Sequence, residues 1–211
     1  MTDDVPSTSA TPRGRASWKK LLRLAWAAVP SLALAFGLVV ATGAPASAYS
    51  TFNGHRLTYG INYQYYWLDS TAENYHPVAI PAGVKHWNDT TDTKVWYLRT
   101  STKSQSRMDF YRRSTSSGWY CAITAMYIDT RTVDPNASNW WWGKVTIDPL
   151  LRNADACGPS SHRDGIIAHE HGHVMGLAHT SSSSTLMYSG ISGTAYDKPQ
   201  KDDRNGINYL Y

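Results

Sequence analysis

Ile166-Ile167-Ala168-His169-Glu170-His171-Gly172-His173-Val174-Met175-Gly176-Leu177-Ala178-His179 is the stretch from which the rest of the chain can be read. Its spacing is His-Glu-x-x-His-x-x-Gly-x-x-His. On a helix each residue advances about 100°, so His169 and His173 lie within about 40° of each other, one turn apart. Two imidazoles so placed can hold one metal ion, and Glu170, beside the first, reaches a water on that metal. Gly176 is the natural place for the helix to stop, because glycine takes φ > 0 at little cost. The turn there brings His179 back as a third ligand. Three nitrogen ligands with a fourth position left to water make a catalytic Zn2+ site, whereas a structural site is closed by four protein ligands. The competing reading is a helix that is merely rich in histidine, and the eleven-residue spacing speaks against it.

The same wheel disposes of the neighbours. His171 sits two residues from each metal-bearing histidine, about 200° round the helix, so it cannot share their ion. It falls with Ile167, Val174 and Met175 on a face turned to the core, where it needs a hydrogen-bond partner. Ser161-x-x-Asp164 fits a capping box, which predicts a helix start near His162 or Arg163. His55, His76, His86 and His162 form no ligand spacing and read as ordinary surface residues.

With two later segments the motif resembles that of the metzincin zinc endopeptidases, and the matrixins most of all. A methionine turn is expected downstream, and Leu186-Met187-Tyr188 places Met187 eight residues past His179. The tail Asp202-Asp203-Arg204-Asn205-Gly206-Ile207-Asn208-Tyr209-Leu210-Tyr211 resembles the matrixin C-terminal helix. The resemblance covers roughly residues 160 to 211; upstream, only length and element order agree. It implies an α+β, metzincin-like zincin fold, in which a twisted mixed β-sheet lies over an active-site helix, followed by a methionine turn and a C-terminal helix. It implies one catalytic Zn2+ on His169, His173 and His179, Glu170 as general base, and Met187 as a soft apolar floor rather than a ligand. Where metzincins use a tyrosine ligand it comes two residues after the methionine; here Ser189 stands there, so Tyr188 is not expected on the metal. Matrixins usually carry proline at the position of Ser189 and an aliphatic residue at that of His171. The departure at Ser189 leaves the wall of the specificity pocket open. The structural zinc and calcium loops of matrixins have no recognisable counterpart, and Ca2+ dependence stays open.

Residues 1–48 read as a signal peptide. Arg13, Arg15, Lys19, Lys20 and Arg23 precede an apolar run from Leu24 to about Val40, and Ala46-Ser47-Ala48 supplies a cleavage site that would leave Tyr49 first. The rival is an uncleaved membrane anchor, against which stand Pro30 inside the run and the A-x-A site after it. No Arg-Arg pair precedes the run, which points to export unfolded, with zinc acquired outside the cell. The segment carries five of the 20 Lys and Arg and two of the 16 Asp and Glu, leaving 15 against 14. The basic character therefore belongs to the leader and is no argument for nucleic acid.

Residues 49–211 have the size of one catalytic domain. Cys121 and Cys157 form an even pair in an oxidising compartment and read as a disulfide. The sharper alternative, a metal-blocking thiol at Cys157-Gly158-Pro159, is disfavoured because the matrixin switch lies in a separate pro-segment. No pro-segment fits between Tyr49 and the first expected strand. Strands are expected at 57–63, 94–100, 107–112, 120–129 and 144–148, with a first helix from near Pro81 carrying Val84 and Trp87 on one face. Trp140-Trp141-Trp142 could grip a ligand or cap the sheet, and Ser181 to Ser184 read as a loop.

The expectation is a secreted, monomeric zinc endopeptidase acting on extracellular protein or peptide substrates, with no nucleic-acid or membrane partner once the leader is removed. The alternative is a secreted binding protein that keeps zinc for structure and uses its tryptophans to hold a ligand. Glu170 speaks against it, because a structural site needs no base beside its first ligand.

Overall fold

The computed structural model describes residues 49–158, 160–189 and 196–211; the leader read over 1–48 lies outside them. Six strands form one mixed sheet: β2 (Gln64–Leu68), β3 (Tyr97–Arg99), β4 (Met108–Arg112), β5 (Ala122–Ile128), β6 (Arg131–Val133) and β7 (Trp142–Ile147). Their order is β3-β2-β4-β7-β5-β6. The first four run parallel, β5 is antiparallel to β7, and β6 folds back on β5 as a hairpin. Along β2, β4 and β7 alternate residues enter the core: Tyr66 and Leu68, Met108 and Phe110, Val145 and Ile147 are all buried. The register sets Tyr66 beside Met108, and Phe110 beside both Leu68 and Val145, so these rings and chains form continuous rows across the pleat.

Two helices pack against one another under this sheet, α2 (Ala79–Asn88) and α4 (Arg163–Met175). Ile80, Val84 and Trp87 form the buried stripe of α2, spaced as a helix face requires. Every residue of α4 from Ile167 to Met175 is buried, so it is a central helix wedged between sheet and α2. Two indoles fix it: Trp87 Nε1 donates to Ala168 O, and Trp140 Nε1 to Val174 O, both at 2.8 Å. Around this frame lie α1 (Ser70–Tyr75), α3 (Ala154–Cys157), α5 (Lys201–Leu210) and a two-residue pair, β1 (Ser50–Thr51) with β8 (Leu177–Ala178).

Several expectations shift. The stretch 57–63 is not the first strand. Gly60 has φ 77° and Tyr63 φ 53°, and these left-handed residues break the extended run. Leu57 makes only an isolated bridge to Trp140, and the strand begins at Gln64. The helix expected from near Pro81 is α2, which starts at Ala79 and takes Ile80 into its buried face. The helix α1 and the strand β6 were not expected. The capping box does not form. α4 starts at Arg163 after a 3-10 turn over Ser160–His162, with no side-chain cap. Asp164 Oδ2 instead lies 3.0 Å from His86 Nε2, so His86 is a paired, half-buried residue rather than a free surface one. His162 Nδ1 lies 2.8 Å from Asp197 Oδ1. His76 departs furthest: it is 3% exposed.

Candidate metal centre and active site

α4 ends where the spacing places it. Gly176 has φ 120°, a value L side chains rarely adopt, and its N–H closes back on Gly172 O and His173 O at 3.1 and 3.0 Å. The next two carbonyls would be left without intrahelical partners. Val174 O takes the Trp140 indole, and Met175 O accepts the Tyr211 hydroxyl at 2.7 Å. The end of the helix is thereby saturated, and the chain leaves it into β8 with His179 turned back toward the helix.

His179 Nε2 lies 3.1 Å from His169 Nε2 and 3.1 Å from His173 Nε2. A tetrahedral zinc with bonds of about 2.0–2.1 Å sets its ligands about 3.3 Å apart, so the convergence has the right size. Proton placement supports it. His169 Nδ1 is 2.7 Å from Leu186 O, and His173 Nδ1 is 2.7 Å from Leu177 O. A carbonyl only accepts, so both rings carry their proton on Nδ1 and direct an Nε2 lone pair at the common point. Lone pairs gathered at this distance repel unless a cation lies between them. Burial, aided by His173, pushes the His169 pKa down to about 4; burial, aided by His179, does the same to His173. Both are neutral ligands at neutral pH. Among the described residues these three form a cluster able to hold a metal ion.

Glu170 faces the sheet side of this centre. It is buried, and its Oε2 accepts the Thr124 hydroxyl at 2.5 Å. Thr124 Oγ1 also lies 3.3 Å from the Glu170 carbonyl, so one β5 side chain ties down both ends of the residue. Burial pushes the carboxyl pKa up, against the opposing pull of His169 and the Thr124 hydroxyl. Beneath the helix, Met187 is buried, and a Cβ built on Gly172 would meet its Sδ at 2.5 Å. A side chain at position 172 would have to displace the Met187 thioether. The turn itself is held from α5: Asp203 accepts from Leu186 N at 2.8 Å, Met187 N at 3.2 Å and Gln200 N at 2.7 Å.

Other expected positions resolve as follows. His171 is fully buried, its ring 4.5 Å from Tyr97 edge-on and near Trp87, on the face away from the metal-bearing pair. The expected hydrogen-bond partner is absent: neither ring nitrogen has one among the described residues. Its pKa is driven to about 3 by burial. Cys121 and Cys157 are bonded, joining the start of β5 to α3 just before the active-site helix. Of the three tryptophans, Trp140 is buried core, and Trp142 stacks on Tyr127 and donates to Asp129 O. Trp141 alone is substantially exposed, packed on Tyr59. The run is therefore mostly architecture. The serine loop is bonded to itself, with Ser182 N on Thr180 Oγ1 and Thr185 Oγ1 on Ser182 O. Thr124 and Asp203 are the residues sequence reasoning missed. A strand threonine carries no local signal of its partner, and the Asp-Asp pair was legible only as part of a family pattern.

Residues 155–211 match the family model described as Matrixin, of the M10 peptidases. No curated protein matches the chain. The match spans the segment that bears the histidine triad, the methionine turn and α5, and the mixed sheet above them fits a metzincin fold. Residues 155–211 are thus similar to the catalytic segment of the matrixin-family zinc metalloendopeptidases, with one catalytic zinc implied on His169, His173 and His179.

Proposed function

We propose that the chain is an exported endopeptidase in which residues 1–48 are a signal peptide and 49–211 the catalytic domain, working as a monomer on protein or peptide substrates outside the cell. The disulfide favours an oxidising compartment, and among the described residues no helix is long and apolar enough to cross a membrane. When bound, zinc supplies Lewis acidity, polarising a carbonyl and lowering the pKa of water toward about 7. Glu170 takes a proton from the attacking water and returns it to the leaving amine. Its burial raises its basicity, and Thr124 fixes the oxygen that does not take the proton.

Substrate placement is supported by β5. The β6 hairpin pairs with Met126 to Ile128, so among the described residues Ala122 to Ala125 have a strand on the β7 side alone. An extended peptide added along that free edge would lie beside Thr124 and hence beside Glu170. The binding-protein alternative loses its main feature, since Trp140 and Trp142 have their indole N–H groups engaged inside the fold.

The observation that carries the reading is a carboxylate held by its own hydrogen bond next to three converging imidazoles. The test is Glu170→Ala against His173→Ala, with zinc content and casein cleavage measured on the same preparations. Glu170→Ala should keep its zinc and lose about 10²–10⁴-fold in hydrolysis. His173→Ala should lose both metal and activity, because two ligands hold zinc poorly. A zinc-loaded wild type that cleaves no faster than Glu170→Ala over a broad set of proteins would overturn the reading.

A further inference from the structure

A second chemically distinctive place lies at the other end of α4, about 9 Å along the axis from His169. A cavity of about 300 Å³ opens there between the first turns of α2 and α4, lined by Tyr75, His76, Ala79, Ala82, Arg163 and Asp164 among others. Neither helix start is capped by a side chain, so both present their electropositive ends to it. His76 lines the cavity, is 3% exposed, and its Nε2 has no hydrogen-bond partner among the described residues.

The surrounding charge is lopsided. Arg163 lines the cavity and is steadied by Leu151 O and Arg152 O. The Arg112 guanidinium lies 3.8 Å over the Tyr75 ring and that of Arg152 lies 5.9 Å from it. Arg112 Nε is buried without a partner. Among the described residues no carboxylate pairs with any of these three arginines. Asp164, the one acid in the lining, is already engaged, with Oδ2 at His86 and Oδ1 accepting from Gly165 N. Arg163, two helix starts without side-chain caps and the His76 ring thus line one concave surface, and Arg112 and Arg152, held against the Tyr75 ring, add positive charge beside it.

We propose that this cavity is an oxyanion site for a small organic anion, its charged head on Arg163 and His76 and its apolar body against Ala79 and Ala82. The shared chemistry admits two sources, a carboxylate or a tetrahedral sulfate-type ester. Burial, and then Arg112, Arg152 and Arg163, hold the His76 pKa at about 4. The groups facing His76 are Tyr75 of α1, Arg163 and Asp164 of α4 in the lining, and Arg112 of β4 and Arg152 beyond it; an anion seated in the cavity would offset the repulsion from the arginines and raise the His76 pKa.

The experiment is an NMR titration of the His76 ring signals in the zinc-loaded protein, at constant ionic strength, with inorganic sulfate in one arm and N-acetyl-valine in the other. The expected result is saturable movement of His76 and a rise of about one pH unit or more in its titration midpoint. Arg163→Gln removes the head's partner, and Ala82→Leu fills the cavity without touching a charge. Each should weaken binding at least about tenfold, with zinc content and casein cleavage unchanged. Should Arg163→Gln fail to fold, Ala82→Leu carries the test. Tighter binding of N-acetyl-valine assigns the carboxylate, and tighter binding of sulfate assigns the ester. No response of His76 to either probe, or equal response in wild type and Ala82→Leu, overturns the proposal.

Discussion

Thr124 is a small side chain on which the reaction centre leans. Its hydroxyl is the hydrogen-bond partner the structure gives the Glu170 carboxylate, and it comes from a strand 46 positions away. A hydrogen bond to a charged group is worth about 1.5–3 kcal/mol. Thr124→Val keeps the shape of the side chain and removes that bond. The expected outcome is a fall in kcat of about ten- to a hundredfold with little change in KM, and Thr124→Ser should recover most of the loss. Steady-state kinetics with zinc content on each variant checks it. The convergence of His169, His173 and His179, with Glu170 beside them, was legible because these residues lie within one helix and its turn, where periodicity fixes direction. Thr124 was not, because a threonine in a strand looks the same whichever group faces it. His76 was misread for the same reason: its burial is decided by α1, α2 and the arginines around it, none of which changes its local pattern.

At the scale of elements, α4 was readable in its length, its glycine end and its buried face. Its start was not capped as the Ser161-x-x-Asp164 spacing suggested, because Asp164 has a stronger use in His86. The first strand was displaced by left-handed residues that single-sequence alternation does not reveal. The methionine turn shows how one element is held by another. Asp203 of α5 satisfies the N–H groups of Leu186 and Met187, and Leu186 in turn offers its carbonyl to His169. Asp203→Ala would leave buried amides without acceptors. It should cost about 3 kcal/mol or more in stability and loosen the zinc. Urea unfolding and the rate of zinc loss to a chelator report the two effects, and Asp202→Ala, at the less buried member of the pair, should show neither.

For the whole molecule, His76 ties stability to pH. Its pKa falls from 6.5 to about 4 on folding, chiefly through burial. Between those values the unfolded chain binds the extra proton, so stability that is intact above about pH 6.5 declines on acidification. The decline is complete below about pH 4, at about 3 kcal/mol. Unfolding of wild type and His76→Gln across pH 7.5 to about 4, in buffer free of multivalent anions, should show a slope between pH 6.5 and 4 that the variant lacks. The comparison isolates His76 from the metal ligands, which both proteins share. The disulfide acts at the same scale by another route, closing a loop of 36 residues and restricting the unfolded chain by about 3–4 kcal/mol.

The saturated end of α4 has a consequence in time. The Tyr211 hydroxyl that accepts from Leu57 N also donates to Met175 O, and the first of these bonds spans 154 positions. Trp140, which covers the adjacent carbonyl, is bridged to Leu57 as well. The last turn of the active-site helix is thus closed by segments remote in sequence, and contacts of such long range form slowly because chain closure precedes their reward. Refolding should therefore pass through a stage in which far-ultraviolet circular dichroism has largely returned and casein cleavage has not. Tyr211→Phe, which loses the bond but keeps the ring, should accelerate unfolding several-fold while leaving the early spectroscopic phase at its wild-type rate. Stopped-flow dichroism run beside an activity-recovery assay separates the two; recovery of both signals in one common phase would show that the helix end does not limit maturation of the enzyme.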